Sequence, residues 1–192
     1  RPAREPEEAP AASAAASAVA PEDPDGPRPY VLCDGAPQAR DDEAVRALLQ
    51  VEAPVVFERL VRRLAEAWGV SRVSDRVRAR ARAALPSGVE VDGPVVWLDR
   101  AQRDAFRGYR VPACERGERS ADELPLTEVR HAMSWLLRQH HALAREDLMR
   151  ECARAFGIAR LGSNVREVMA LGVDALVAAG GAARVGETIS LP

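Results

Sequence analysis

Residues 68–85 read WGVSRVSDRVRARARAAL, and the pattern returns at residues 156–173 as FGIARLGSNVREVMALGV. In both stretches an aromatic residue followed by Gly (Trp68-Gly69, Phe156-Gly157) leads to an Arg (Arg72, Arg160). A small residue follows (Ser74, Gly162), then a Val-Arg pair (Val77-Arg78, Val165-Arg166). Every one of these pairs stands 88 residues apart, and the same spacing relates Val55, Glu58 and Leu60 to Leu143, Glu146 and Leu148. A register held over such a length marks an internal repeat, which constrains a fold more than any single motif does.

Downstream, each copy has two short apolar runs around a turn. These are 89–91 and 95–98 around Asp92-Gly93, then 182–185 and 188–191 around Gly186-Glu187. Asp-Gly between alternating apolar residues is a strong hairpin signal and Gly-Glu a weaker one. Upstream, Asp41, Asp42 and Glu43 supply caps and first-turn acids for a helix carrying Val45, Leu48 and Leu49, which Pro54 stops. Phe57, Leu60, Val61, Leu64 and Trp68 keep i, i+3, i+4 spacing and predict a second helix, ended by Gly69 at the C′ position. Ser74 is a favourable N-cap for a third, with Val77, Ala81, Ala84 and Leu85 inward and Pro86 and Gly88 at its end. In the second copy the helices are expected at 127–139, 145–155 and 162–178.

Helix, extended link, helix, turn, helix and hairpin is the order of a winged helix, a helix-turn-helix variant with a β-hairpin wing. The predicted fold class is therefore mainly α with small β-hairpins, arranged as tandem winged-helix-like repeats. Residues 1–40 are expected to be a disordered Ala/Pro-rich linker with a short docking segment at its end, because their composition cannot repay ordering entropy by burial. Residues 41–98 form the first module, 99–126 a connector and 127–192 the second module.

With 47% hydrophobic residues in 192, the chain can bury a real core, and its net charge of −2 means that any nucleic-acid contact must be local. All 27 basic residues are Arg, so a phosphate loop with its lysine is excluded from this stretch. Cys33, Cys114 and Cys152 are far apart and lack a C-x-x-C spacing, which argues against a disulfide framework or a zinc site and for free thiols in a reducing cytoplasm. His131, His140 and His141 read as surface or cap residues, so no metal or cofactor is expected. The first residue is Arg1 and not Met, which suggests a piece of something longer. Residues 11–20 are too weakly apolar for a signal peptide, and no stretch approaches membrane-spanning length.

Charge singles out one helix. Within 74–85, Arg76, Arg78, Arg80 and Arg82 stand against Asp75 alone, a balance of +3. Within 162–178, Arg166 stands against Glu167 and Asp174, a balance of −1. On a helical wheel Arg76 and Arg82 point outward with Ala79 and Ala83, while Arg78 and Arg80 flank them; small residues between arginines let a helix approach a phosphate backbone. Arg72, in the turn before, suits either a phosphate or the carbonyls that end the second helix. In the connector Arg100, Arg103, Arg107 and Arg110 fall at helical spacing with Phe106 and Tyr109 interleaved, as a solvated connector helix or a basic strip. The candidate DNA-contacting set is Arg72, Arg76, Arg78, Arg80, Arg82, Arg100, Arg103 and Arg107. The duplicated pairs Glu58/Arg78 and Glu146/Arg166 are read as salt bridges between second and third helices, and Trp68, Phe156 and Trp97 as core anchors.

These words together, VEAPVVFERLVRRLAEAWGVSRVSDRVR, the Arg-Val-Pro of 110–112, ELPLTEV and LAREDLMRECARAFGIARLGSNVRE, resemble a bacterial domain-of-unknown-function family. That family is found at the C-terminus of very large superfamily I helicase proteins, after a domain resembling the very-short-patch repair endonuclease. The resemblance spans 31–191, and its most specific words are Glu52-x-Pro54 and the repeated aromatic-Gly-x-x-Arg-x-small pattern. It implies helicase and nuclease domains of the same polypeptide as partners, and it transfers no catalytic residues. The expected function is a non-catalytic C-terminal accessory module that binds duplex or forked DNA through the first module. An intramolecular or protein–protein scaffolding module without DNA contact, and a free-standing winged-helix regulator, are the alternatives.

Overall fold

A computed structural model describes residues 23–34 and 40–192. The disorder expected of 1–22 and 35–39 lies outside the described residues. The chain is mainly helical with small sheets, in the order β1 (Pro27–Tyr30), α1 (Asp41–Glu52), β2 (Val55–Val56), α2 (Phe57–Ala67), α3 (Asp75–Ala83), β3 (Glu90–Asp92) and β4 (Val95–Trp97). There follow α4 (Arg100–Ala105), β5 (Tyr109–Pro112), two 3-10 turns (Glu115–Gly117, Ala121–Glu123), α5 (Leu126–His140), β6 (Ala142–Ala144), α6 (Arg145–Ala155), α7 (Ser163–Ala178), β7 (Ala183–Val185) and β8 (Thr188–Ser190). Two units, α1–β4 and α5–β8, thus share one element order, and their sheets share one strand arrangement, β2-β4-β3 and β6-β8-β7.

The aromatic-Gly repeat has a local cause. Trp68 and Phe156 are the C-caps of α2 and α6, and Gly69 and Gly157 follow in the left-handed region at φ 67° and 80°. Gly69 N–H then bonds the Glu66 carbonyl (3.0 Å) and Val70 N–H that of Ala65 (2.8 Å); Gly157 bonds Arg154 and Ile158 bonds Ala153, both at 2.9 Å. This paired closure satisfies the orphan carbonyls of a helix end and needs a residue without Cβ strain at its pivot. The other ends of α2 and α6 lack side-chain caps. There the hairpin turns supply the acceptors, with Phe57 N–H bonding the Pro94 carbonyl at 2.8 Å and Arg145 N–H that of Glu187 at 2.7 Å. Each hairpin is held by the helix it caps.

Two apolar cores form. Leu48, Leu49, Leu60, Leu64, Ala81 and Val96 build the first, with Val77 and Trp68 packed against it. Val129, Met133, Leu148, Phe156, Val173 and Ile189 build the second, with Val165 in the place of Val77. Between them stands an ionic layer. β1 pairs in parallel with β5, Pro27 opposite Tyr109 and Tyr30 opposite Pro112, which carries Tyr30 into the interior at 1% exposure. The strand, Pro27–Tyr30, lies inside the 1–40 stretch that composition assigns to the linker. Tyr30 donates to Glu52 (2.7 Å) and accepts from Arg59 (3.1 Å), and the guanidiniums of Arg59, Arg110 and Arg119 all lie over its ring. Burial first, then the neighbouring Glu52 carboxylate, pushes the phenol up to about 12.

Candidate nucleic-acid interface

Ser74 Oγ accepts from Val77 N–H and caps α3, and Asp75 stands in its first turn, where a negative charge suits the helix dipole. The inner side of α3 is small: Ala81 is fully buried and Ala84 nearly so, which lets the helix lie close on α2. The outer side presents Ala79 and Ala83, both exposed, among the arginines.

The structure divides those arginines in two. Arg78 donates to both carboxylate oxygens of Glu58 at 3.1 Å and to Asp75 at 3.0 Å. Arg80 makes a bidentate pair with Asp41 at 2.7 Å and lies over the Trp68 ring, 3.9 Å from its centre. The Arg80 hydrogen bond holds the Asp41 carboxyl below its ordinary range. These two flanking residues tie α3 to α2 and α1. Arg72, Arg76 and Arg82 are exposed and have no carboxylate partner among the described residues; Arg82 rests over the Phe57 ring at 4.7 Å. The helix-end carbonyls near Arg72 are already taken by Gly69 and Val70, which leaves its guanidinium to solvent or a ligand.

The connector strip does not form as one helical face. α4 ends at Ala105, and Phe106 turns extended at φ −63°, ψ 126°. Arg100 faces Asp104 at 3.6 Å, Arg103 bonds Glu90 at 2.5 Å, and Arg107 bonds the carbonyls of Asp104 and Phe106. Arg110 falls on β5 and is buried, so the 3.6-residue spacing read across 100–110 joins a short helix to a strand. The exposed hairpin turn Asp92-Gly93-Pro94 lines one side of a cleft of about 420 Å³, with Leu124 of the connector and Leu126, Val168 and Leu171 of the second unit on the other. Among the described residues, no helix is long and apolar enough to cross a membrane.

In the second unit Arg166 bonds Glu146, the counterpart of Arg78 with Glu58, and lowers the Glu146 carboxyl. Its third helix, α7, instead exposes Leu171 at 54%. The residues that sequence reasoning passed over are the buried ions. Glu128, with no exposure, takes both Arg110 and Arg119, and Glu123 takes Arg59 at 2.9 Å and Arg62 at 2.7 Å. A signal for Glu128 existed: it lies four residues before Ala132 and eight before Leu136, on the apolar stripe of α5, where an acid must find a cation.

A family model described as "Protein of unknown function (DUF3320)" matches residues 32–79, from just after β1 to the middle of α3. The match takes in Arg72, Arg76 and Arg78 and stops before the second unit. Neither the curated proteins nor the solved structures compared with this chain give a match.

Proposed function

We propose that this chain is a non-catalytic accessory module, two winged-helix-like units fused side by side, that contacts DNA through α3 of the first unit. The supporting observation is the split among the arginines on and just before α3: Arg78 and Arg80 are consumed in fastening the helix, whereas Arg72, Arg76 and Arg82 have no carboxylate partner among the described residues and stand around exposed Ala79 and Ala83. A helix with small residues between free guanidiniums can lie against a phosphate backbone. The resemblance to C-terminal domains of large helicase proteins supplies the context, a bacterial cytoplasmic helicase and nuclease polypeptide acting on duplex or forked DNA. The wing of the first unit takes no part in this reading, because its turn carries Asp92 and no arginine and lines the cleft towards the second unit.

Each of the three arginines would neutralise one phosphate. Changing Arg72, Arg76 and Arg82 together to Ala should lower the slope of log affinity against log salt by about 2.7, at roughly 0.9 per contact on duplex DNA. The measurement uses the full chain with duplex and forked DNA, beside thermal melting to show that the variant folds. An unchanged slope in a folded variant removes the DNA reading. A scaffolding module without DNA contact is then what stands, supported by the apolar cleft and the exposed Leu171 of α7.

A further inference from the structure

Away from α3, a solvent-open hollow of about 340 Å³ lies where α1, β1, α4 and β5 meet. Arg28, Arg107 and Arg110 line it together with Gln102, Phe106 and Val51, and among the described residues no carboxylate does. Two of those guanidinium groups carry a buried Nε–H without an acceptor among the described residues, that of Arg28 and that of Arg110. Arg110 is nine-tenths buried, and its other nitrogens are fully used by the carbonyls of Glu52, Ala53 and Pro54 and by Glu128. Arg28 uses Nη2 on the Pro24 carbonyl at 2.6 Å, and Arg107 is exposed at the rim.

Among the described residues Arg28 and Arg107 have no carboxylate partner, whereas Arg110 is paired with Glu128, so the charge the hollow offers a ligand is that of the first two. Two such positive groups, with no acid among the described residues of the wall, make the fitting ligand an anion. The planar fork of guanidinium matches phosphate oxygens, and charge-assisted bonds of this kind are the strong ones. Beside the arginines the wall is apolar, with half-buried Phe106 and exposed Val51, so the anion should carry a ring. The volume falls in the range of about 300–1,000 Å³ that holds small organic ligands. We infer that this hollow binds a nucleoside 5′-phosphate, with the phosphate between Arg28 and Arg107 and the base along the Phe106 and Val51 side. The phosphate can come from a free nucleotide or from the 5′ end of a DNA strand, the same chemistry in either source. The site shares no residue with the free arginines of α3.

The test is calorimetric titration of the full chain with adenosine 5′-monophosphate, adenosine and inorganic phosphate. The monophosphate should bind and adenosine should not. In an Arg28→Gln/Arg107→Gln variant its affinity should fall about tenfold or more, since two hydrogen bonds to a charged group are lost. Arg107→Glu alone, at an exposed side chain, gives the same direction if the double variant melts early. An Arg76→Ala/Arg82→Ala variant should keep nucleotide binding, which separates this site from the α3 reading. Displacement of the nucleotide by a 5′-phosphorylated thymidine decamer, and not by its unphosphorylated form, assigns the site to a strand end; displacement by neither assigns it to the free nucleotide. The inference is overturned if neither phosphate compound binds, if adenosine binds as well as its monophosphate, or if the folded double variant binds undiminished.

Discussion

Glu128 is the residue on which the junction between the units turns. Burial alone would raise its carboxyl, but the guanidiniums of Arg110 and Arg119 and their hydrogen bonds outweigh that and hold it at about 2 against an ordinary 4.5. A carboxyl whose folded-state value is depressed contributes stability that is complete above the unfolded value and lost as pH falls towards the folded one. Urea unfolding of the chain should therefore show its stability declining between about pH 4.5 and pH 2, with this carboxyl as one contributor. Glu128→Gln should cost about 3–5 kcal/mol at neutral pH, because two buried guanidiniums lose their charge partner, and should flatten that acid decline. An equally steep decline in the variant would show that the acid dependence comes from elsewhere. On the surface, Arg80→Ala should lower the melting temperature and leave the salt slope of DNA binding as it was, whereas Arg76→Ala should do the reverse. The helical wheel sets Arg76 outward and Arg80 beside it, yet by charge alone both fall in the candidate DNA-contacting set. The partners Asp41 and Trp68 were not legible, because they come from another helix.

At the scale of elements, periodicity shows where the helices are, and it is silent on what ends them. The spacing of Phe57, Leu60, Val61 and Leu64 marks α2, and the aromatic-Gly pairs mark the ends of α2 and α6, because a left-handed pivot leaves a signature in the residues themselves. The N-termini of the same helices are closed by the carbonyls of Pro94 and Glu187, thirty or more residues downstream, and backbone carbonyls have no signature in sequence. Gly172, in the middle of α7, is the third kind of case. A glycine there costs about 1 kcal/mol of helix propensity against Ala. A Cβ on it would stand 2.5 Å from Val129 Cγ1 and 3.2 Å from Met133 Sδ, both fully buried on α5. Overpacking of that kind costs about 1–3 kcal/mol and Val129 is stiff at χ1, so Gly172→Ala should destabilise by up to about 2 kcal/mol net of the propensity gain. Combining it with Val129→Ala should recover part of the loss in chemical denaturation. Independent, additive losses would mean that the close approach of α5 and α7 at this point is not what keeps Gly172.

Across the whole molecule, the repeat makes two units legible and conceals what joins them. The joining residues, Tyr30, Arg110, Arg119 and Glu123, lie outside the repeated pattern, in stretches whose composition reads as linker and connector. Arg110 is the bridge: its nitrogens hold the carbonyls of Glu52, Ala53 and Pro54 from the first unit and the Glu128 carboxylate from the second. Arg59 of α2 meanwhile reaches Glu123, just before α5. Buried pairs of this kind give little net stability against an apolar substitute, yet breaking one strands a charge, so their effect here is to make the two units open together. Of the three tryptophans, Trp68 at the end of α2 and Trp97 on β4 lie in the first unit and Trp135 lies within α5 of the second. In two variants, one that keeps only Trp68 and one that keeps only Trp135, urea unfolding should give coincident transitions, the mark of one cooperative body. Arg110→Met in the same backgrounds should lower both midpoints and separate them, because the carbonyls of 52–54 and the carboxylate of Glu128 no longer share a donor. Transitions already apart before that substitution, or still coincident after it, would place the coupling in the apolar cleft between the β3–β4 turn and α7 instead.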